Sequence, residues 1–160
     1  MRRILVIAAC CALALPTYAQ TEDDATYRNA VGVTFGWWRG AALSLKHFVT
    51  DEVALEAKLS FWNYGGEVCG LFEYYGDFGT VPGLKWYAGG GAHIGVYNQD
   101  WAKYYPARSD GLYAGPDGIL GIDYKFPTAP IDLSFDVEPR VDIPGAYFNV
   151  WGGLGVRFAF

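Results

Sequence analysis

Twelve residues at the end of the sequence, Asn149 to Phe160, read N-V-W-G-G-L-G-V-R-F-A-F. Successive side chains of a strand point to opposite faces. Val150, Gly152, Leu154, Val156, Phe158 and Phe160 therefore share one face of an extended strand, and Asn149, Trp151, Gly153, Gly155, Arg157 and Ala159 share the other. The same two-residue rhythm returns in seven earlier segments. In all eight, no Asp, Glu, Lys or Arg falls on the apolar face, and of the groups that titrate near neutral pH only His47, at a segment end, lies there. A strand set with one face that excludes charge and another that collects it leaves few folds open. Gly is 21 of 160 residues and aromatics make up 18%, without helical periodicity. Both favour an all-β chain with closely approaching backbones.

The chain opens with Arg2-Arg3, an apolar run over 4–15, Pro16 and a small residue at Ala19. That order reads as a secretory signal peptide over 1–19, with a single domain over 20–160. The apolar run is too short to cross a bilayer as a helix. Residues 1–19 carry two Arg and no acid, so ten Lys and Arg remain against seventeen Asp and Glu, a net charge near −7. That balance argues against nucleic acid as a partner. Cys10 and Cys11 leave with the signal, and Cys69 remains, which excludes an internal disulfide and a Cys-based metal centre.

The strands are expected over 29–38, 41–48, 53–64, 67–75, 84–97, 118–126, 131–143 and the final segment. Gly65-Gly66, between two alternating runs, reads as a two-residue hairpin turn. It sets Tyr64 against Glu67, Trp62 against Cys69 and Lys58 against Glu73, and it lays Phe61 over Gly70. Thr128-Ala129 as a turn tip sets Lys125 against Asp132. The loop over 98–111, with Trp101, Tyr104 and Tyr105, is the longest. Pro139 falls inside a strand and is expected near a rim or at a bulge. Eight antiparallel strands with short turns are the smallest up-and-down sheet that closes around its own side chains.

The apolar face is expected to point outward, toward lipid. A Lys or Arg facing mid-bilayer costs about 2–4 kcal/mol, which explains the exclusion of charge. The charged face is crowded with Gly, Ala and Ser, as a narrow lumen demands. Trp37, Trp38, Trp62 and Tyr64 near one rim, and Trp86, Phe126, Phe158 and Phe160 near the other, form the expected aromatic girdles. Closure also satisfies every backbone group, as a spanning structure must. The fold expected is an eight-stranded antiparallel transmembrane β-barrel.

The last segment, with its apolar residues every second position up to a terminal Phe, resembles the C-terminal signature strand of bacterial outer-membrane β-barrels. By size and strand count the chain resembles the small eight-stranded members of that family. The run Gly118-Ile119-Leu120-Gly121-Ile122-Asp123-Tyr124, followed by 133–139, is similar to the small outer-membrane barrel domains common in Bacteroidetes-type genomes. The resemblance implies an outer-membrane location, periplasmic termini, and lipid and lipopolysaccharide as surroundings. It also implies recognition by the barrel-assembly machinery through the last strand. A monomer is expected.

The inward face collects Lys46, Glu56, Lys58, Glu73, Lys125, Asp132, Asp136, Glu138, Arg140 and Arg157, joined by Lys85, His93 and Asp123. Buried charges must be paired, so these residues are expected to form an ion-pair network that plugs the lumen. Asp123, Asp132, Asp136 and Glu138 are spread along two strands rather than gathered in one loop, so no metal site is expected, and no cofactor. Catalysis is not expected either. The lipid A deacylases of this fold carry a His-x-Ser element, whereas His47 precedes Phe48-Val49 and His93 precedes Ile94-Gly95. Ser44 and His47, three residues apart, fall on opposite faces. Two other readings stay open: a soluble periplasmic lipocalin-like carrier with the alternation inverted, and a lipid A-modifying enzyme on the same barrel.

Overall fold

The computed structural model describes residues 27–37, 40–79, 81–98 and 111–160. The signal segment, Trp38, and residues 99–110 of the long loop lie outside them. Eight strands follow one another: β1 (Asn29–Gly36), β2 (Gly40–Thr50), β3 (Val53–Trp62), β4 (Gly65–Asp77), β5 (Leu84–Tyr97), β6 (Gly111–Lys125), β7 (Ile131–Asp142) and β8 (Tyr147–Ala159). Each pairs antiparallel with its sequence neighbours, and β8 returns to β1 to close an up-and-down barrel. Asn29 and Phe160 exchange backbone hydrogen bonds of 2.8 and 2.7 Å at that seam. Both ends of the described chain therefore sit at one rim, with the β2–β3, β4–β5 and β6–β7 turns. The β1–β2, β3–β4, β5–β6 and β7–β8 connections sit at the other rim.

The alternation sorts the side chains as the sequence pattern predicts. Leu43, Phe61, Leu112 and Phe148 are the most exposed large apolar residues, at 61–69%. Asp132, Asp136, Arg140 and Arg157 are 2% exposed or less. Leu133, Phe135 and Val137 lie on the outer face of β7, between those buried charges. The interior is thus charged and the exterior apolar. That is the opposite of the soluble lipocalin-like alternative, whose inner face would be apolar.

The β3–β4 hairpin corrects one expectation. Its two-residue turn is Asn63-Tyr64, and Gly65 and Gly66 already belong to β4, opposite Trp62 and Phe61. Ser60 faces Glu67, Lys58 faces Cys69 and Ala54 faces Glu73. The slip is four residues, an even number, so every side chain keeps its face while every partner changes. Phe61 accordingly covers Gly66, where a Cβ would meet its ring at 3.0 Å, and not Gly70.

β6 begins at Gly111, well before the expected start at 118, and its first half runs through Pro116. Pro139 pairs with Val150 without a shift of register. The β6–β7 ladder is interrupted between Asp117↔Arg140 and Leu120↔Val137, where Pro139 lies, because proline donates no hydrogen bond.

Closure depends on close backbone approach at the seam. Gly32 of β1 lies opposite Arg157, and a Cβ on it would drive into the Val156 carbonyl. Gly32→Val is therefore expected to destabilise the barrel by about 1–3 kcal/mol, the usual penalty of overpacking. A lower midpoint in urea-induced unfolding of the detergent-folded protein checks this.

Candidate functional site

The inward column of eight strands forms one charged interior, and the cross-lumen geometry decides its partners. Near the rim that holds both chain ends, Arg157 of β8 is the hub. Its Nη2 donates to Glu56 Oε1 at 2.7 Å, and its Nη1 donates to Asp132 Oδ2 at 3.2 Å and Ser134 Oγ at 2.8 Å. Its Nε donates to Ser44 Oγ at 2.8 Å, and Ser44 in turn donates to Glu56 at 2.6 Å. Tyr27, just before β1, donates toward Asp132 at 3.2 Å and Asp123 at 3.3 Å. Burial and those two carboxylates push its phenol well above the ordinary tyrosine value, so it stays a donor.

Lys46 is fully buried beside this hub. It pairs with Glu73 at 2.9 Å and with Glu56 at 3.4 Å, and it donates to the Tyr75 hydroxyl. Its ammonium also sits 4.7 Å from the Tyr87 ring centroid, a cation–π distance. Tyr87 stacks on Tyr75 at 5.0 Å and donates to Asp136 Oδ2 at 2.9 Å. Halfway up, Lys58 reaches across from β3 to Glu138 and Asp136 of β7. Arg140 anchors the far end. It pairs with Glu67 at 2.9 Å and Asp117 at 3.1 Å, with its guanidinium 4.0 Å from the Trp151 ring centroid.

The expected charges other than Lys85 are inside, but several partners differ from those read in the sequence. Lys58 pairs with Glu138 and Asp136, not Glu73, whose cation is Lys46. The register does set Lys125 against Asp132, yet Lys125 Nζ donates to the carbonyls of Phe126 and Ala129, and Asp132 goes to Arg157. Lys85 stays at the rim with Asp77, 3.8 Å away. His93 lies between Asp117 Oδ1 at 2.9 Å and Asp142 Oδ1 at 3.2 Å. Cys69 is not beside Trp62; it lies opposite Lys58 and His93, and its thiol donates to Asp117 at 3.3 Å. Glu67, Asp117 and Asp142 are the buried acids that the sequence reading left out. Asp117 and Asp142 share the parity of their inward neighbours, but Pro116 and the adjacent turn hid that parity.

The aromatic set divides. Trp37 is outward, 5.9 Å from Phe135, and Trp86 packs outward against Tyr74 at 6.2 Å. Phe126 meets Tyr124 at 4.8 Å, and Phe158 meets Phe160 at 6.0 Å. Tyr64 occupies the β3–β4 turn, and Trp38 falls outside the described residues. Trp62 is the correction. It lies on the inward parity of β3, edge-on to Tyr97 at 6.3 Å, and Tyr97 stacks on Tyr113 at 4.2 Å. It therefore belongs to an aromatic ring inside the mouth rather than to an outer belt.

Chemistry on the two histidines is limited by placement. His47 is outward and hydrogen-bonds Asn29 Oδ1 at 2.8 Å, while Ser44 is inward on Arg157 and Glu56. Among the described residues, no three His, Cys, Asp or Glu are arranged to hold a metal ion.

No protein-family model matches the chain, and no curated protein matches it. Among solved structures, the N-terminal β-barrel domain of Pseudomonas aeruginosa OprF is similar, with a TM-score of 0.63 and 17% identity. The match covers 84% of this chain and all of that one. The chain shares the fold of that barrel domain. At this identity the likeness speaks for the closed eight-stranded antiparallel architecture and not for an activity.

Proposed function

We propose that this protein is an integral outer-membrane β-barrel whose ion-paired lumen is plugged, serving as a structural or surface-interaction element. One observation carries this reading: a continuous apolar exterior encloses a charged interior, an inversion that is stable only if the outside meets lipid. The likeness to the OprF barrel domain supports the location. The rim that carries Tyr27 and Phe160 would face the periplasm, and the β1–β2, β3–β4, β5–β6 and β7–β8 connections the outside, among lipopolysaccharide. Trp37, Trp86, Phe126, Phe158 and Phe160 would lie in the interfacial belts. β8 would engage the barrel-assembly machinery, and the barrel would act as a monomer. Crossbars such as Lys58–Glu138, with the stacked Tyr75 and Tyr87 beneath, leave little continuous path for water, which supports a plug over a pore. The chain would carry no cofactor and perform no catalysis.

Fractionation tests it. The protein is expected in the outer-membrane fraction, running faster on a gel when unheated than after boiling. Release as a soluble monomer by osmotic shock would overturn the reading.

A further inference from the structure

The outer wall of the barrel is not evenly covered. On the outer face of β2 to β5 lies a groove of about 530 Å³, a volume within the range of small-molecule sites, roughly 300–1,000 Å³. Leu45, Leu55 and Phe72 border it, and Ala57, Gly70 and Gly90 form its floor. The register explains the shape. Leu45, Ala57, Gly70 and Ala92 lie side by side on neighbouring strands, so beyond Leu45 the row carries no side chain longer than a methyl group.

Gly70 is the residue that the barrel itself does not account for. Every other described glycine within a strand either has a positive φ or would bring a Cβ within 3.3 Å of a neighbouring atom, whereas at Gly70 a Cβ would meet nothing within 4 Å. Its ladders to Ala57 and Ala92 run without a shift of register, so no bulge calls for it. Glycine weakens a strand interior, and it marks places where backbone or ligand comes close. No described backbone comes close on this face, which leaves a ligand. At one end of the groove stands His47, in the row His47, Leu55, Phe72, Gly90. Its Nδ1 is 2.8 Å from Asn29 Oδ1, and its Nε2 has no partner among the described residues. Asn29 bonds Phe160 at the rim with both chain ends, so the groove runs from that rim toward mid-barrel.

We propose that this groove binds one acyl chain of a glycerophospholipid from the leaflet at the chain-end rim, with the lipid's polar head hydrogen-bonded to His47 Nε2. The inference rests on the outer-membrane reading, under which this face meets lipid. The groove divides as such an amphiphile does, with a polar group at the rim and an apolar floor running inward from it. A second copy of the chain fits less well, because its outer strand faces carry no Asp, Glu, Lys or Arg to meet His47. Lipopolysaccharide would stand at the opposite rim, away from His47.

The test uses the full chain folded in mild detergent, with unheated gel mobility to confirm the barrel. Native mass spectrometry during titration with phosphatidylethanolamine is expected to show one lipid bound per barrel before any further uptake. Gly70→Leu fills the groove without meeting a neighbour, and is expected to abolish that first binding step while leaving the mobility unchanged. His47→Ala is expected to weaken it by about fivefold, the worth of one hydrogen bond, and decides the matter if Gly70→Leu fails to fold. Equal binding by wild type and Gly70→Leu would overturn the site, as would a wild-type barrel that takes up no lipid. A dimer that Gly70→Leu returns to monomer would overturn it in favour of a second copy. A protein that fractionates with the outer membrane yet shows no first binding step removes the groove alone, whereas release by osmotic shock removes the outer-membrane reading with it.

Discussion

Leu120→Arg is expected to destabilise the folded barrel by about 2–4 kcal/mol in lipid vesicles. Leu120 lies on the outer face of β6, 57% exposed, opposite Val137 of β7 and Ala88 of β5, well inside the ladder. Its neighbours offer no carboxylate on that face, so the guanidinium would sit in hydrocarbon or drag water in. Ile131→Arg serves as the depth control. Ile131 is also outward, 42% exposed, but begins β7 beside Phe158 at the rim, and should lose only about 0–1 kcal/mol. Both are read from urea-induced unfolding of vesicle-reconstituted protein. In bulk water the two substitutions would be alike, each within about 0.5 kcal/mol, as exposed changes usually are. The difference between the two sites thus measures the surroundings of the apolar face directly.

Which face each residue occupies was legible because alternation is a local property. β5 runs over Leu84–Tyr97 as read from the sequence, and the final segment supplies β8 with the expected faces. Register was less legible. Gly65-Gly66 looks like a turn, but Asn63-Tyr64 closes the hairpin and the glycines continue the strand, with Gly66 under Phe61. Partners across the lumen were not legible at all. Lys58 and Glu138 are 80 residues apart and meet only because closure brings β3 and β7 to facing walls. Side-by-side register cannot say what a long side chain finds on the opposite wall. Pro116 concealed Asp117 for a different reason: a proline tolerated on the outward side of β6 reads locally as the end of a strand.

Arg157→Met should be the most damaging single change in the interior, at about 3–5 kcal/mol, because it breaks a buried pair by removing one partner. The methionine fills comparable space, so the loss is not a cavity effect. Glu56, Asp132 and, at 3.9 Å, Asp123 would lose their guanidinium, leaving Lys46 beside Glu56 and Lys58 farther off to compensate. Arg157→Lys should fall between wild type and Arg157→Met. An ammonium carries the charge but cannot span Glu56, Asp132, Ser44 and Ser134 as the planar guanidinium does. Adding Glu56→Gln to Arg157→Met should recover part of the loss, since the double variant removes one stranded carboxylate. With Glu56→Gln alone as the remaining corner, the urea midpoints of wild type, the two single variants and the double variant, taken with unheated gel mobility to confirm folding, form a cycle whose coupling belongs to the pair. If Arg157→Met cost less than about 1 kcal/mol, the carboxylates around it would have to be hydrated, as surface charges are. The lumen would then be a water-filled passage at that level, and the plugged barrel would give way to a pore.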